Sequence, residues 1–130
     1  MNIPIKPKIN IDRPVQARLL DTIKEGAQVV VHCVYMAAKK DDRIGISKST
    51  FLYTKDLSYR SKLVHTENIA VYPRQMLVEW HTTINFTLIF KGLPPNCKLF
   101  HLIENTRGPG GFVAINIERN NSDTYLIILT

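Results

Sequence analysis

The residues best suited to chemistry in this 130-residue chain are four histidines and two cysteines. The histidines are His32, His65, His81 and His101, and none of them stands at the short spacing from another histidine or cysteine that zinc sites use. His32 and Cys33 are neighbours in an extended stretch, so their side chains point to opposite faces and do not chelate one ion together. The sequence therefore predicts no metal site and no cofactor.

A cysteine paired with a histidine would be the alternative chemistry, as a nucleophile and its base. Cys97 and His101 share one face of an expected strand, but four residues of extended chain separate them by about 13 Å, too far for a proton transfer. Cys33 lies in an apolar stretch typical of the core. A single disulfide between Cys33 and Cys97 stays open, although reduced thiols are favoured. We predict that the chain is not an enzyme.

The loop at 107–111 (RGPGG) offers flexible backbone amides and one cation. It lacks the Lys-Ser or Lys-Thr pair and the following helix that a phosphate-binding loop requires. Closely spaced glycine and proline residues are typical of turns, so we interpret this loop as the connection between two strands.

The positive charge of the chain is concentrated in its first half. The net charge is +6, and residues 1–62 carry twelve lysines and arginines against six acidic residues, whereas the second half is neutral. A soluble basic surface is the simplest interpretation of such a distribution, and an anionic partner, namely nucleic acid, an acidic protein or a membrane surface, is the alternative. The expected anion contacts are Lys39, Lys40, Arg43, Lys55, Arg60 and Lys62.

Aromatic residues near these cations suggest stacking on the bases of a single-stranded nucleic acid. Most of the aromatic residues fall where the expected core needs them, but Tyr59 lies on a basic loop and is predicted to be exposed. The expected stacking residues are Tyr59, Tyr72 and Trp80. Tyr72 or Trp80 would equally serve as the platform of a carbohydrate-binding sandwich.

Apolar residues alternate with polar ones along most of the chain, which predicts an all-β fold of about eight strands. Residues 28–38 are apolar on both faces, which is typical of a central strand. The other expected strands cover residues 44–53, 60–71, 76–90, 98–104, 111–118 and 124–129. No helical pattern alternates with them, so we predict one antiparallel two-sheet sandwich over residues 15–130. Residues 15–24 favour a short helix, with a short strand as the alternative.

The first fourteen residues form a separate, extended arm in this interpretation. Prolines at 4, 7 and 14 exclude a helix interior. The isoleucines occupy odd positions and so give the arm one apolar face, at Ile3, Ile5, Ile9 and Ile11. This segment contains no continuous apolar stretch, which predicts no signal peptide and a cytoplasmic location, and no segment of the chain has the length of a membrane span.

Four segments of the chain recur together in one type of bacterial module. They are IGISKSTFLYT (44–54), KLVHTENIAVYP (62–73), INFTLIFKGLPPNCKLFHLIE (84–104) and GFVAINI (111–117). Over about residues 20–117 the chain resembles uncharacterised proteins of this type, found especially in Bacteroidetes. The resemblance implies an immunoglobulin-like β-sandwich and implies no activity.

These features favour a non-catalytic module that binds a protein partner or a second copy of itself, through sheet edges and the arm. Binding of single-stranded nucleic acid or another polyanion through the basic half is the alternative. Carbohydrate binding is the third hypothesis.

Overall fold

The computed structural model describes Ile23, residues 26–106 and residues 111–129. The predicted arm at 1–14 lies outside these residues, as does the predicted helix at 15–24 apart from Ile23. Of the glycine-rich loop, only Gly111 is described, and its φ of 91° is a conformation that favours glycine.

The described chain consists of β-strands joined by turns and loops, as the alternation predicts. The strands are β1 (Gln28–Met36), β2 (Asp42–Ile44), β3 (Thr50–Thr54), β4 (Arg60–Glu67), β5 (Met76–Val78), β6 (Thr83–Lys91), β7 (Leu99–Glu104), β8 (Val113–Glu118) and β9 (Thr124–Leu129). Within the described ranges no helix has the length and apolarity required to cross a bilayer. The all-β prediction is confirmed, with nine strands in place of about eight.

Seven strands form one sheet in the order β8-β7-β3-β4-β6-β1-β9, and β2 and β5 form a separate two-stranded sheet. Most neighbours are antiparallel, but β1 and β9 run parallel. The sheet is therefore mixed, which corrects the prediction of a purely antiparallel arrangement. A parallel pair needs a long connection between its strands. In this chain the connection between β1 and β9 consists of all the residues from β2 to β8.

Strand β4 bends the sheet because its two halves pair with different neighbours. Residues 60–62 pair with β3, whereas Leu63 and the residues after it pair with β6. The register shifts between Leu63 and His65, and Val64 in the shift is 44% exposed. Bulges of this kind bend a strand and increase its twist. The bend turns β3, β7 and β8 back over β6, β1 and β9.

The core fills the space inside this bend. Phe100 on β7 contacts Tyr125 on β9 edge to face, with 4.9 Å between ring centroids. Phe112, directly before β8, contacts Tyr35 on β1 at 5.8 Å and Phe86 on β6 at 6.3 Å. These contacts join strands that are not neighbours in the sheet. The sheet therefore closes on itself in a nearly barrel-like form.

Strand β1 bears out its predicted position in the interior of the sheet. It lies between β6 and β9, and Val29, Val31, Cys33 and Tyr35 are buried on its inner face. The inner face of β6 carries Phe86, Leu88 and Phe90, which are all buried.

Two predicted strands are each divided in the structure. The stretch at 44–53 is interrupted directly after β2. Gly45 lies so close to the Arg74 backbone there that a Cβ on it would come within 2.6 Å of the Arg74 carbonyl oxygen. The stretch at 76–90 is interrupted by a turn in which the Thr82 amide donates to the Glu79 carbonyl at 3.0 Å. His81 in this turn has a φ of 67°. Both breaks are therefore backbone features that side-chain alternation does not reveal.

Candidate functional site

The most exposed apolar residues of the described chain lie on β9, at one edge of the seven-stranded sheet. Tyr125, Ile127 and Leu129 point into the core, whereas Leu126 is 69% exposed and Ile128 is 71% exposed. A soluble protein rarely exposes two large aliphatic side chains on consecutive outward positions of an edge strand without a partner for them.

The neighbouring strand extends this apolar surface. The β1–β9 register places His32 beside Leu126 and Val34 beside Ile128. His32 and Thr87 share a hydrogen bond of 2.9 Å between Nδ1 and Oγ1, so a polar pair borders the apolar residues on the β6 side. We call Leu126, Ile128 and Val34 the β9 outer face.

The backbone edge of β9 also lacks the usual protection. Within the described residues β9 has β1 as its one neighbour. Its sequence, TYLIIL, contains no charge and no proline. Natural edge strands usually carry charges, prolines or bulges that prevent pairing with another chain.

The opposite edge strand, β8, does carry such protection. Its register with β7 shifts between Phe100 and Leu102, and Asn116 has a φ of 55°. In this irregular stretch the Asn116 amide donates to His101 Nδ1 at 3.0 Å. Glu118 adds an exposed charge at the end of the strand. The two edges of the sheet are therefore unequal, and β9 is the open one.

The six predicted anion contacts are all exposed, but they form two groups at opposite ends of the sheet. Lys55, Arg60 and Lys62 belong to the β3–β4 hairpin. This hairpin lies near the first residue of β1, because Ser61 Oγ donates to the Lys91 carbonyl and Lys91 pairs with Gln28. Lys39, Lys40 and Arg43 follow the other end of β1. Nine residues of strand span about 30 Å. These six residues therefore do not form one patch.

The predicted stacking residues differ from one another in exposure. Tyr59 is only 3% exposed and belongs to the core, so its predicted exposure is wrong. The Tyr59 amide donates to Thr54 Oγ1 at 3.1 Å across the hairpin turn. This bond holds Tyr59 directly before β4, and Tyr59 is buried like Ser61 and Leu63 on the strand that follows.

Tyr72 and Trp80 are exposed, at 64% and 46%. The Trp80 indole stacks on the His81 ring with 4.1 Å between centroids, and Lys40 Nζ lies 5.9 Å from the Trp80 centroid. Trp80 is therefore covered in part by its own neighbours, whereas Tyr72 has no ring contact among the described residues.

The thiols are not arranged for nucleophilic chemistry. Cys33 is buried on the inner face of β1, and burial raises the pKa of its thiol to about 12. Burial likewise raises the pKa of the Cys97 thiol, which the positive charge of Arg119 only partly offsets. Both cysteines are free. A nucleophilic cysteine needs a lowered pKa instead.

The histidines lie apart from one another. His32, His65 and His81 are exposed on three different elements, and His101 is buried on β7, where burial lowers the pKa of its ring. Among the described residues, no three histidine, cysteine or acidic side chains meet closely enough to hold a metal ion.

No protein family, curated protein or solved structure matches this chain. The candidate sites therefore rest on the geometry of the molecule itself. The sequence predicted a strand over residues 124–129 but did not single out Leu126 and Ile128. Their outward direction follows from the alternation of β9 once Tyr125 is recognised as a core residue.

Proposed function

We propose that this protein is a non-catalytic binding module that assembles with a second copy of itself by strand addition at the β9 edge. The observation that carries the proposal is the exposure of Leu126 and Ile128 on an edge strand that has no charge. An added strand would take up the open backbone groups of β9 and place its own side chains beside Leu126 and Ile128 on the outer face.

Backbone and side chains would both contribute to the energy of this contact. Fully burying a large aliphatic side chain contributes about 1.5–3 kcal/mol, and a neighbouring strand that shields part of Leu126 and Ile128 gains a corresponding part of that energy. The hydrogen bonds of an added strand fix its register, since a shift of one residue would turn its apolar face away from Leu126 and Ile128.

The donor we propose is the arm at residues 1–14 of the second copy. Its isoleucines recur at odd positions, at Ile3, Ile5, Ile9 and Ile11, which would give an added strand one apolar face beside Leu126 and Ile128 on the same side of the sheet. Its prolines suit an edge strand, because an outermost strand needs only one of its two rows of backbone donors.

We also propose that the two parts of the rolled sheet are the layers of an immunoglobulin-like sandwich. The division of β4 between β3 and β6 supports this, because strands that switch sheets at a bulge form the corners of sandwiches. The Phe100–Tyr125 contact supports it too, since it joins the two parts across the core.

Sedimentation velocity of the full chain tests the assembly proposal. We expect a concentration-dependent dimer or larger species. Leu126→Lys should shift the equilibrium toward monomer by about tenfold or more, because an ammonium group would have to be buried at the contact. Ile115→Lys is the matched control: Ile115 is 43% exposed on the opposite edge strand, and its variant should assemble as the original chain does.

Deletion of residues 1–14 tests the donor separately. The truncated chain should be monomeric and should still bind a synthetic peptide of residues 1–14. A monomer before and after the deletion would contradict self-assembly. If the dimer survives the deletion but is lost in Leu126→Lys, then β9 forms the contact and the arm is not the donor.

Polyanion binding stays the alternative function. The separation of the basic residues into two groups gives it less support, because a phosphate backbone would have to reach both ends of the sheet. Titration with a single-stranded oligonucleotide at several salt concentrations distinguishes the two. Polyanion binding should weaken steeply as salt rises, whereas strand addition should respond little.

A further inference from the structure

A polar cleft lies at the end of the sheet where β7 finishes. It has a volume of about 610 Å³, which is in the range of small-molecule sites. Three chain segments form it: the connection between β2 and β3, the loop before β5, and the residues that follow β7. Its lining includes Tyr72, Gln75, Glu104, Asn105 and Ser49.

Backbone contacts hold these segments close together. The Ile46 amide donates to the Ala70 carbonyl at 2.8 Å, and the Tyr72 amide donates to the Ile46 carbonyl at 2.9 Å. Gly45 lines the cleft at the point where a Cβ would collide with the Arg74 carbonyl. The Asn105 amide donates to the Ser49 carbonyl at 2.8 Å. The cleft is therefore built into the fold in advance of any ligand.

Glu104 is a fixed polar group in the wall of this cleft. It is 5% exposed, and its two carboxylate oxygens accept hydrogen bonds from the Ser47 amide at 2.7 Å and the Phe112 amide at 3.0 Å. A buried carboxylate needs such donors to offset its desolvation. These bonds set its orientation and tie the β2–β3 connection to the start of β8.

Tyr72 supplies an apolar surface at the mouth of the same cleft. Its ring is 64% exposed and the residue after it is Pro73. A tyrosine presents a flat apolar face together with a polar hydroxyl, which suits ligands that are apolar on one side and polar at the rim.

We propose that this cleft binds a neutral saccharide, with one face of a sugar ring on Tyr72 and its hydroxyl groups bonded to Gln75 and Asn105. Sugar rings combine C–H faces that pack on aromatic rings with hydroxyls that both donate and accept. Amide side chains match such hydroxyls because they too carry donors and acceptors.

The composition of the cleft decides between ligand classes. Its described lining contains no lysine or arginine side chain to pair with an anion, so phosphorylated and acidic ligands are disfavoured. A purely apolar ligand would leave the hydroxyl and amide groups of the cleft lining without hydrogen-bond partners, so it is disfavoured too. A neutral ligand rich in hydroxyl groups satisfies both conditions.

Amide-resolved NMR titration of the full chain tests the proposal. The probes are glucose, galactose, mannose, N-acetylglucosamine, maltose and cellobiose, each taken to near its solubility limit. At least one of them should shift the amides of Tyr72, Gln75 and Asn105, with a Kd on the order of 1 mM or below. Shifts confined to other regions, or no shift with any probe, would overturn the proposal.

Two variants link the binding to the cleft. Tyr72→Ala should weaken binding of the responding sugar at least about tenfold, and it should fold normally because the ring is exposed. Trp80→Ala is the matched control, since it removes an exposed aromatic ring outside the cleft lining, and it should leave the Kd within about twofold. Equal losses in both variants would contradict the site. Leu126→Lys should leave sugar binding unchanged, so this inference and the assembly proposal fail independently.

Discussion

Phe100 and Tyr125 meet edge to face with ring centroids 4.9 Å apart, although their strands β7 and β9 are separated by four others in the sheet. This contact joins the two ends of the rolled sheet and fixes the inward direction of Tyr125. The alternation of β9 then turns Leu126 outward. The exposure of the β9 outer face is therefore a consequence of how the core closes.

A double-mutant cycle between Phe100 and Tyr125 tests that closure. Phe100→Ala should lower the free energy of unfolding by about 3–5 kcal/mol, because it leaves a cavity in the core. The two residues should show a coupling of about 0.5–1.5 kcal/mol, measured by urea denaturation of the single and double variants to alanine. Additive effects would mean that the two rings do not touch in solution.

Arg119 and Asp123 hold the turn before β9. Arg119 Nη2 donates to Asp123 Oδ2 at 2.9 Å and Nε to the other carboxylate oxygen, while Nη1 donates to the Pro94 carbonyl at 2.9 Å. Arg119→Ala should cost about 2–3 kcal/mol, because a half-buried carboxylate loses its partner. The hydrogen bond from Arg119 holds the pKa of Asp123 below its ordinary value.

The matched variant is Arg119→Lys, which keeps the charge but cannot form the two-pronged bond. It should recover only part of the stability and should raise the pKa of Asp123 toward that of an exposed aspartate, as followed by NMR. An unchanged Asp123 pKa in both variants would show that the pair is not formed in solution.

Tyr35 and Asp42 make the stability of the fold sensitive to high pH. Tyr35 donates its hydroxyl to Asp42 Oδ2, and the Ala38 amide donates to the same oxygen at 3.0 Å. Burial, followed by the bond to Asp42, raises the pKa of Tyr35 to about 12. The neutral phenol is thus favoured in the folded state, so its contribution is complete below the unfolded pKa of about 10 and is lost as pH rises through about 12.

Tyr35→Phe tests this relationship. The variant should be less stable by about 1–3 kcal/mol at neutral pH, because the buried Asp42 carboxylate loses a donor. Its stability should fall less steeply than that of the original chain between about pH 10 and pH 12, measured by urea denaturation at each pH. If the stability of the variant and of the original chain fell in parallel as pH rises, the loss of stability at alkaline pH would belong to another group.

The Cys33 thiol should be protected from modification in the folded protein. It lies on the inner face of β1, and burial raises its pKa to about 12, so both access and thiolate content are low. In a Cys97→Ser variant the remaining thiol should react with a thiol reagent only as fast as the protein unfolds, and urea should accelerate it. Labelling at the rate of a free cysteine in native buffer would contradict the burial of β1.

The elements that the sequence predicted best are those whose pattern is set by the core. The predicted bounds of β9 agree with the structure, and the two apolar faces of β1 placed it correctly in the sheet interior. In both cases a short, continuous apolar stretch marks the strand, and its inner residues are buried among other strands. A side-chain pattern is informative wherever the core selects each residue.

The predictions that failed depend on the backbone. Residues 44–53 alternate like one strand, but the close approach of Gly45 to the Arg74 carbonyl divides them. Tyr59 was expected on an exposed loop, but the Thr54–Tyr59 hydrogen bonds end the turn one residue earlier. The Tyr72 cleft needs three distant segments to meet, which no local pattern encodes.

Hydrogen exchange of the β9 backbone tests the central claim most directly. Half of the amides of Thr124–Leu129 bond to β1, and the others face the open edge. If a second copy adds a strand there, the edge-facing amides should become protected as protein concentration rises, and deletion of residues 1–14 should remove that protection. Edge-facing amides that exchange at one fast rate at every concentration, in the full chain, would contradict strand addition at β9.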